Sequence, residues 1–154
     1  MGCQKWRQRA AKIMTTKKKM EKILVIDDEP DITFSLKQVL EENRFASVDT
    51  FNDPADVISK YNKQPETLYD LLIIDILMPR MNGFELYEKI KKIDKNAKVC
   101  FISAYRVYFE ALREMYPDYE VDCFMNKPFE NEDLLRKVSS ALTTTNRTQV
   151  MGSK

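Results

Sequence analysis

Lys22-Ile-Leu-Val-Ile-Asp-Asp-Glu-Pro30 is a short apolar run cut off by three acids and a proline. Such a run predicts a strand buried on both faces. Pro30 then opens a helix whose apolar side chains, Ile32, Leu36, Val39 and Leu40, recur at i, i+4, i+7 and i+8 and so share one face. The same alternation continues along the chain. Phe45 to Phe51 reads as a second strand, and Asp53-Pro54 supplies a cap and a first-turn proline for a helix through Tyr61. After a polar loop containing Pro65, Leu71-Leu-Ile-Ile74 is a third strand. Gly83 closes the next loop, and Phe84, Leu86, Ile90 and Ile93 face inward from a third helix.

Val99 to Ile102 predicts a fourth strand, Val107 to Met115 a fourth helix, and Val121 to Met125 a fifth strand. Asn131 to Leu142 predicts a last helix with Leu134, Leu135, Val138 and Leu142 inward. Five apolar strands alternating with five helices imply an α/β protein with a parallel sheet covered on both faces. Right-handed crossovers leave few layouts, and the doubly wound order 2-1-3-4-5 suits this length. In that order, ligands bind beyond the carboxyl ends of the strands, in the crevice between strands one and three.

The 154 residues suffice for one domain with a core of its own, and 44% hydrophobic with 32% charged residues fits a globular class. No apolar stretch approaches a membrane span and no signal-peptide core follows the N-terminus, so a cytoplasmic location is expected. The net charge of +1 conceals an asymmetry: residues 1–22 carry eight basic side chains against Glu21, leaving 17 basic and 23 acidic residues elsewhere. The expected organisation is a basic, disordered leader over 1–20, a domain over 21–142 and a polar tail over 143–154. The alternative is a basic arm that touches nucleic acid or anionic lipid. Met14 and Met20 also leave room for a later start. Met1-Gly2-Cys3 is not read as a lipidation start, because Trp6 stands where a hydroxyl residue is needed.

The chain has no histidine, which removes Ser-His-Asp and Cys-His catalysis and most zinc sites. Cys3, Cys100 and Cys123 lack metal-ligand spacing. Cys100 and Cys123, which lie in apolar runs, are expected as small buried hydrophobes.

The acids at the strand ends carry the functional signal. Asp27, Asp28 and Glu29 follow strand one, and Asp75 follows strand three. Asp is among the poorest strand formers, so its position directly after Ile26 and Ile74 needs a reason. Two carboxylates about 4 Å apart repel by about 4 kcal/mol at an effective dielectric of 20. A hard divalent cation removes that cost, and carboxylates with carbonyls and water are the ligands Mg²⁺ prefers. Strand four ends in Ser103-Ala104 and strand five in Asn126-Lys127-Pro128, adding a hydroxyl and an ammonium to the same edge. Metal, cation and hydroxyl around one carboxylate describe a cradle for a phosphoryl group, with Asp75 as nucleophile.

Val25-Ile-Asp-Asp-Glu-Pro30, Asp75-Ile-Leu-Met-Pro-Arg-Met-Asn-Gly83, Ser103-Ala104 and Lys127-Pro-Phe129 together resemble the signature set of response-regulator receiver domains, over roughly Glu21 to Leu142. The resemblance implies a flavodoxin-like three-layer sandwich. It implies that Asp75 accepts a phosphoryl group from a histidine kinase. Mg²⁺ would be held by Asp28, Asp75 and the backbone carbonyl of Leu77, with Asp27 assisting through water. Ser103 and Lys127 would bind the phosphoryl oxygens, and Phe124 matches the aromatic switch position. Pro79 and Gly83 would shape the loop, Gly83 through an unusual backbone angle. Phosphorylation would draw Ser103 inward, let Phe124 rotate, and change the face formed by the fourth helix, fifth strand and fifth helix. The protein would then be a phosphoacceptor switch and no enzyme in the ordinary sense.

Two residues depart from the most hydrolysis-prone pattern. Leu77 offers no side chain to guide a water, and Tyr105 can shield the acyl phosphate, so slow self-dephosphorylation is expected. Tyr105, Tyr108, Phe109, Tyr116 and Tyr119 exceed what one helix and its loop can bury, which suits a protein partner or a homodimer on that face. A haloacid-dehalogenase-type phosphatase would want a second acid where Leu77 stands. A receiver-like scaffold that takes no phosphate would not need every polar position filled. Residues 143–154 are too few for a helix-turn-helix, so the expectation is a stand-alone receiver without a DNA-binding domain, acting through an unidentified protein or passing the phosphate on.

Overall fold

The computed structural model describes residues 20–43, 46–65, 69–121 and 123–143. The expected leader up to Lys19, and the tail beyond Thr143, lie outside them. The elements are β1 (Glu21–Ile26), α1 (Pro30–Glu42), β2 (Ala46–Phe51), α2 (Pro54–Lys63), β3 (Leu71–Asp75), α3 (Gly83–Ile93), β4 (Val99–Ser103), α4 (Arg106–Met115), β5 (Cys123–Asn126) and α5 (Asn131–Thr143). All neighbouring strands run parallel, in the order β2-β1-β3-β4-β5. The doubly wound α/β sheet expected from the sequence is the observed fold.

Alternation along each strand builds two cores. Ile23 and Val25 of β1, with Leu71 and Ile73 of β3, pack against Leu36 and Leu40 of α1 and Leu134 and Val138 of α5. Leu24 and Ile26, with Leu72 and Ile74, face Val57 and Tyr61 of α2, Phe84 and Ile90 of α3, and Phe109 of α4. Because helices cover both faces, β3 and β4 are buried at every residue and carry no polar-apolar alternation. Each such aliphatic side chain contributes about 1.5–3 kcal/mol on burial.

Element ends follow local chemistry. Pro30 and Pro54 occupy the first turns of α1 and α2, and the Asp53 carboxylate accepts from the Ala55 N–H at 2.9 Å. α2 runs past the expected Tyr61 to Lys63, because the Gln64 N–H still reaches the Lys60 carbonyl at 2.9 Å. α3 begins with a reciprocal capping box: Asn82 accepts from the Glu85 N–H at 2.9 Å, and Glu85 accepts from the Asn82 N–H at 3.2 Å. β5 starts at Cys123 rather than Val121, and the expected second strand starts at Ala46, Phe45 lying outside the described residues.

The cysteines need a correction. Cys100 is fully buried as expected, yet it is not an isolated hydrophobe. The register of β4 on β5 sets Cys100 directly opposite Cys123, with Cα atoms 4.3 Å apart, and the two sulfurs are joined as a disulfide. Spacing of 23 residues gives no hint of this; only the strand register does.

Candidate functional site

β1 and β3 are hydrogen-bonded neighbours with Ile26 opposite Ile74, so the residues that follow them emerge side by side. Asp75 is the last residue of β3 itself, paired with Ile102 of β4. Asp27 is fully buried and Asp75 only 4% exposed, while Asp28 is the most exposed of the three. One carboxylate oxygen from each of Asp27, Asp28 and Asp75 lies within 4.8 Å of the others. The three acids singled out by sequence thus meet at the switch point of the sheet.

Lys127 reaches this cluster from the end of β5. Its backbone N–H donates to the Ser103 carbonyl at 2.8 Å, which ties the loop to β4, and the Lys127–Pro128 peptide bond is cis. The ammonium donates to Asp27 Oδ2 at 2.6 Å and stands 3.6 Å from Asp75 Oδ1. The other oxygen of Asp27 accepts from the Glu29 N–H at 2.9 Å. Lys127 is therefore principally the partner of Asp27, and Asp75 takes second place.

One cation among three carboxylates leaves the site short of positive charge. Burial, then the charge of Asp27, pushes the Asp75 carboxyl up to about 7, with Asp28 adding to the rise and Lys127 opposing it. Burial also raises Asp27, against the hydrogen bonds from Lys127 and Glu29. Burial on its own would lower Lys127, but the Asp27 hydrogen bond and the charges of Asp75 and Asp27 raise it overall.

The remaining expected residues are near but not gathered on Asp75. Ser103 is buried, and its hydroxyl bonds its own loop, accepting from the Tyr105 N–H at 3.1 Å and donating to the Tyr105 carbonyl at 3.2 Å. Phe124 is half-buried and stacks on Phe109, centroids 4.3 Å apart. Leu77 and Tyr105 are 43% and 58% exposed.

In the loop after Asp75 the unusual angle belongs to Arg80, at φ 70°, and Gly83 has no positive φ. The glycine is needed for a different reason. A Cβ at Gly83 would lie 2.5 Å from the Asp75 carbonyl oxygen and 3.0 Å from Ile74 Cγ2. The Gly83 N–H donates to the Ile76 carbonyl at 2.9 Å, so α3 starts pressed against the end of β3.

Sequence reading missed one support of Asp27. The Asn52 amide donates to the Asp27 carbonyl at 2.9 Å and to the Thr33 hydroxyl at 3.1 Å, locking the β1 end to β2 and α1. A polar residue directly after the expected second strand was the available signal at Asn52. The donor set fits a hard divalent ion: three carboxylates converge, two of them buried, with the single Lys127 ammonium beside them. Asp27, Asp28 and Asp75 are the residues that would hold Mg²⁺.

A doubly wound sheet with an acidic, lysine-braced crevice at its switch point defines the class of protein. Within that class the model of the response regulator receiver domain matches residues 23–139, and the chain belongs to that family. It is 33% identical to the chemotaxis protein CheY of Treponema pallidum over 124 residues, which cover 79% of this chain and 82% of that protein. The response regulator TrrA of Thermotoga maritima, solved in complex with Mg²⁺ and BeF, is 34% identical with a TM-score of 0.67, the match covering 79% of this chain and 99% of that one. The Borrelia burgdorferi CheX–CheY–BeF3–Mg²⁺ complex matches at 28% identity and a TM-score of 0.69, covering 80% of this chain and 90% of that one. The chain spans about half the length of several other curated relatives it matches. It is thus a receiver domain of two-component signalling. Among the described residues no helix is long and apolar enough to cross a membrane.

Proposed function

We propose that Asp75 accepts a phosphoryl group from the phosphohistidine of a sensor histidine kinase, in a step that needs Mg²⁺. The observation that carries this reading is a nearly buried Asp75 carboxylate flanked by Asp27, Asp28 and the Lys127 ammonium. A carboxylate oxygen of Asp75 attacks phosphorus, the P–N bond breaks, and the imidazole leaves with its electron pair. Bound Mg²⁺ would neutralise charge on the transferring oxygens. Asp28, Asp75 and the Leu77 carbonyl would hold it, with Asp27 assisting. Lys127 would move the short distance from Asp27 toward the new phosphoryl group. Ser103 would give up its bonds to Tyr105 to donate there.

Phosphorylation would alter the face of α4, β5 and α5, which controls a protein partner or relays the phosphate. The exposed Tyr105, Val107, Tyr108 and Met115 supply apolar surface for such a partner or for a second copy of the chain. That the Borrelia relative was solved with CheX, BeF3 and Mg²⁺ supports a protein partner for the activated form.

The test is incubation with acetyl phosphate and Mg²⁺, followed by intact mass measurement. One phosphoryl group is expected on the native chain and none with EDTA or on Asp75→Asn. An unmodified native chain, or an Asp75→Asn chain that still gains the group, overturns the assignment.

A further inference from the structure

Resting on that phosphoacceptor reading, we propose that Phe109 is the positioning residue that couples Phe124 to α4, so that a ring stack carries the state of Asp75 to the exposed face. α4 is held more lightly than its neighbours. Phe109 is the single buried side chain of its ten residues, whereas α3 buries Gly83, Phe84, Leu86, Tyr87 and Ile90. Its N-cap, Tyr105, makes no side-chain cap bond, and its first turn carries no acid to favour the helix dipole. With only the half-buried Leu112 packed beside it, Phe109 is the main anchor of α4, and the helix's placement depends on what that ring touches.

Phe109 touches two rings that both lead back to the phosphoacceptor. It lies nearly parallel to Phe124, centroids 4.3 Å apart and planes at 15°, and tilted against Phe84 at 6.4 Å. Phe124 pairs with Phe101 in the register of β5 on β4, two residues before Ser103, and Lys127 follows it by three. Phe84 follows Gly83, whose Cα is pressed against the Asp75 carbonyl. A movement at Ser103 and a movement of the Asp75–Ile76 backbone thus arrive at the same ring from two sides. A parallel stack at 4.3 Å is also unforgiving: Phe124 cannot rotate and keep it unless Phe109 follows. When Phe109 follows, the outward residues Val107, Tyr108 and Met115, exposed by 65%, 46% and 69%, move with it.

Were Phe109 merely core packing, replacing it would lower stability without changing how α4 responds. The experiment follows two signals in the native chain and in Phe109→Leu, Phe109→Tyr and Phe124→Leu. Fluorine resonance of bound beryllofluoride, with Mg²⁺, reports occupancy at Asp75, and amide exchange of residues 106–115 reports α4. Native protein should bind beryllofluoride and change α4 exchange by about threefold or more, within the range a ring pair controls. Phe109→Leu should bind it with the α4 change reduced to less than half. Phe109→Tyr, which keeps the ring, should restore the response. Phe124→Leu, which leaves the anchor of α4 in place, should lose the response to the same extent, and the double variant should lose no more.

A full α4 response in Phe109→Leu or Phe124→Leu, or losses that add in the double variant, overturns the coupling alone. Native protein without a bound-beryllofluoride signal overturns the phosphoacceptor reading, and the coupling falls with it.

Discussion

The two ends of the crevice are built to different tolerances. On the β1–β3 side, Asp27 and Asp75 sit at the ends of paired central strands, Asn52 pins the β1 end, and Gly83 presses the start of α3 onto Asp75. On the β4–β5 side, the Ser103 hydroxyl bonds only its own loop, Lys127 divides itself unequally between two acids, and α4 buries a single ring. The half proposed to hold metal and phosphate is rigid where distances must be kept. The half proposed to report has spare freedom, drawn from the low-stability end of the fold. The difference shows how one small sheet combines a fixed ligand geometry with a movable surface.

The sharpest way to break that contrast is to disturb the rigid half. Gly83→Ala forces a Cβ into the Asp75 carbonyl and should cost about 3 kcal/mol in urea unfolding, as overpacking does. Met115→Ala, on the loose half and largely exposed, should change stability by less than about 0.5 kcal/mol. Equal losses at the two sites would remove the distinction.

Asp75→Asn should abolish phosphoryl uptake yet stabilise the metal-free protein, because it deletes a carboxylate whose charge is disfavoured. An increase of about 3 °C in Tm at pH 8 in EDTA is expected. The sign of the pH dependence follows. Asp75 is raised from its ordinary 3.8 to about 7, so the folded state holds a proton that the unfolded state has released. Stability in EDTA should accordingly fall as pH rises from about 4 to about 7, and saturating Mg²⁺ should flatten that fall. Thermal melts across this range with and without Mg²⁺ would check it; an unchanged slope in Asp75→Asn would assign the effect elsewhere.

In the loop after β3, Leu77→Asn places a polar side chain beside the acyl phosphate and should speed its loss about tenfold, about 1.4 kcal/mol of barrier, measured by the decay of the phosphorylated mass. The native half-life should be minutes or longer. The smallest effect concerns the same loop. Arg80 pays for a left-handed backbone with only a 3.8 Å ion pair to Asp53 and is 84% exposed there, a contact of little worth. Arg80→Asn, better suited to that angle, should gain about 0.5 kcal/mol in denaturant unfolding.

Much of the rigid half was legible in the sequence. Ile23 to Ile26 and Leu71 to Ile74 are apolar on both faces, so strand identity and burial could be read together, and acids after such runs mark the ligand edge. Ser103 and Lys127 were found because the strand order carries them to the same edge. What escaped depends on ångströms or on register. That Lys127 lies 1 Å nearer Asp27 than Asp75 is a matter of side-chain reach, because β3, which carries Asp75, is the nearer strand to β5. Cys100 meets Cys123 only in one register. Gly83 was read as a hinge angle, but a residue type does not tell close approach from φ freedom. Asn82 and Glu85 had the spacing of a capping box and could have been read; Phe109 could not, because a buried aromatic looks alike whether it packs or couples.

The short bond between Lys127 and Asp27 has one further consequence. An ammonium that leaves a fully buried carboxylate for a phosphoryl oxygen exposes that carboxylate to an unmet charge, unless a second cation has already arrived. Magnesium and the phosphoryl group would then act as effectors of each other at one site. Each tightens the other's hold by the same factor, as reciprocal linkage requires. Such a receiver would bind magnesium more tightly once it carries a phosphoryl group.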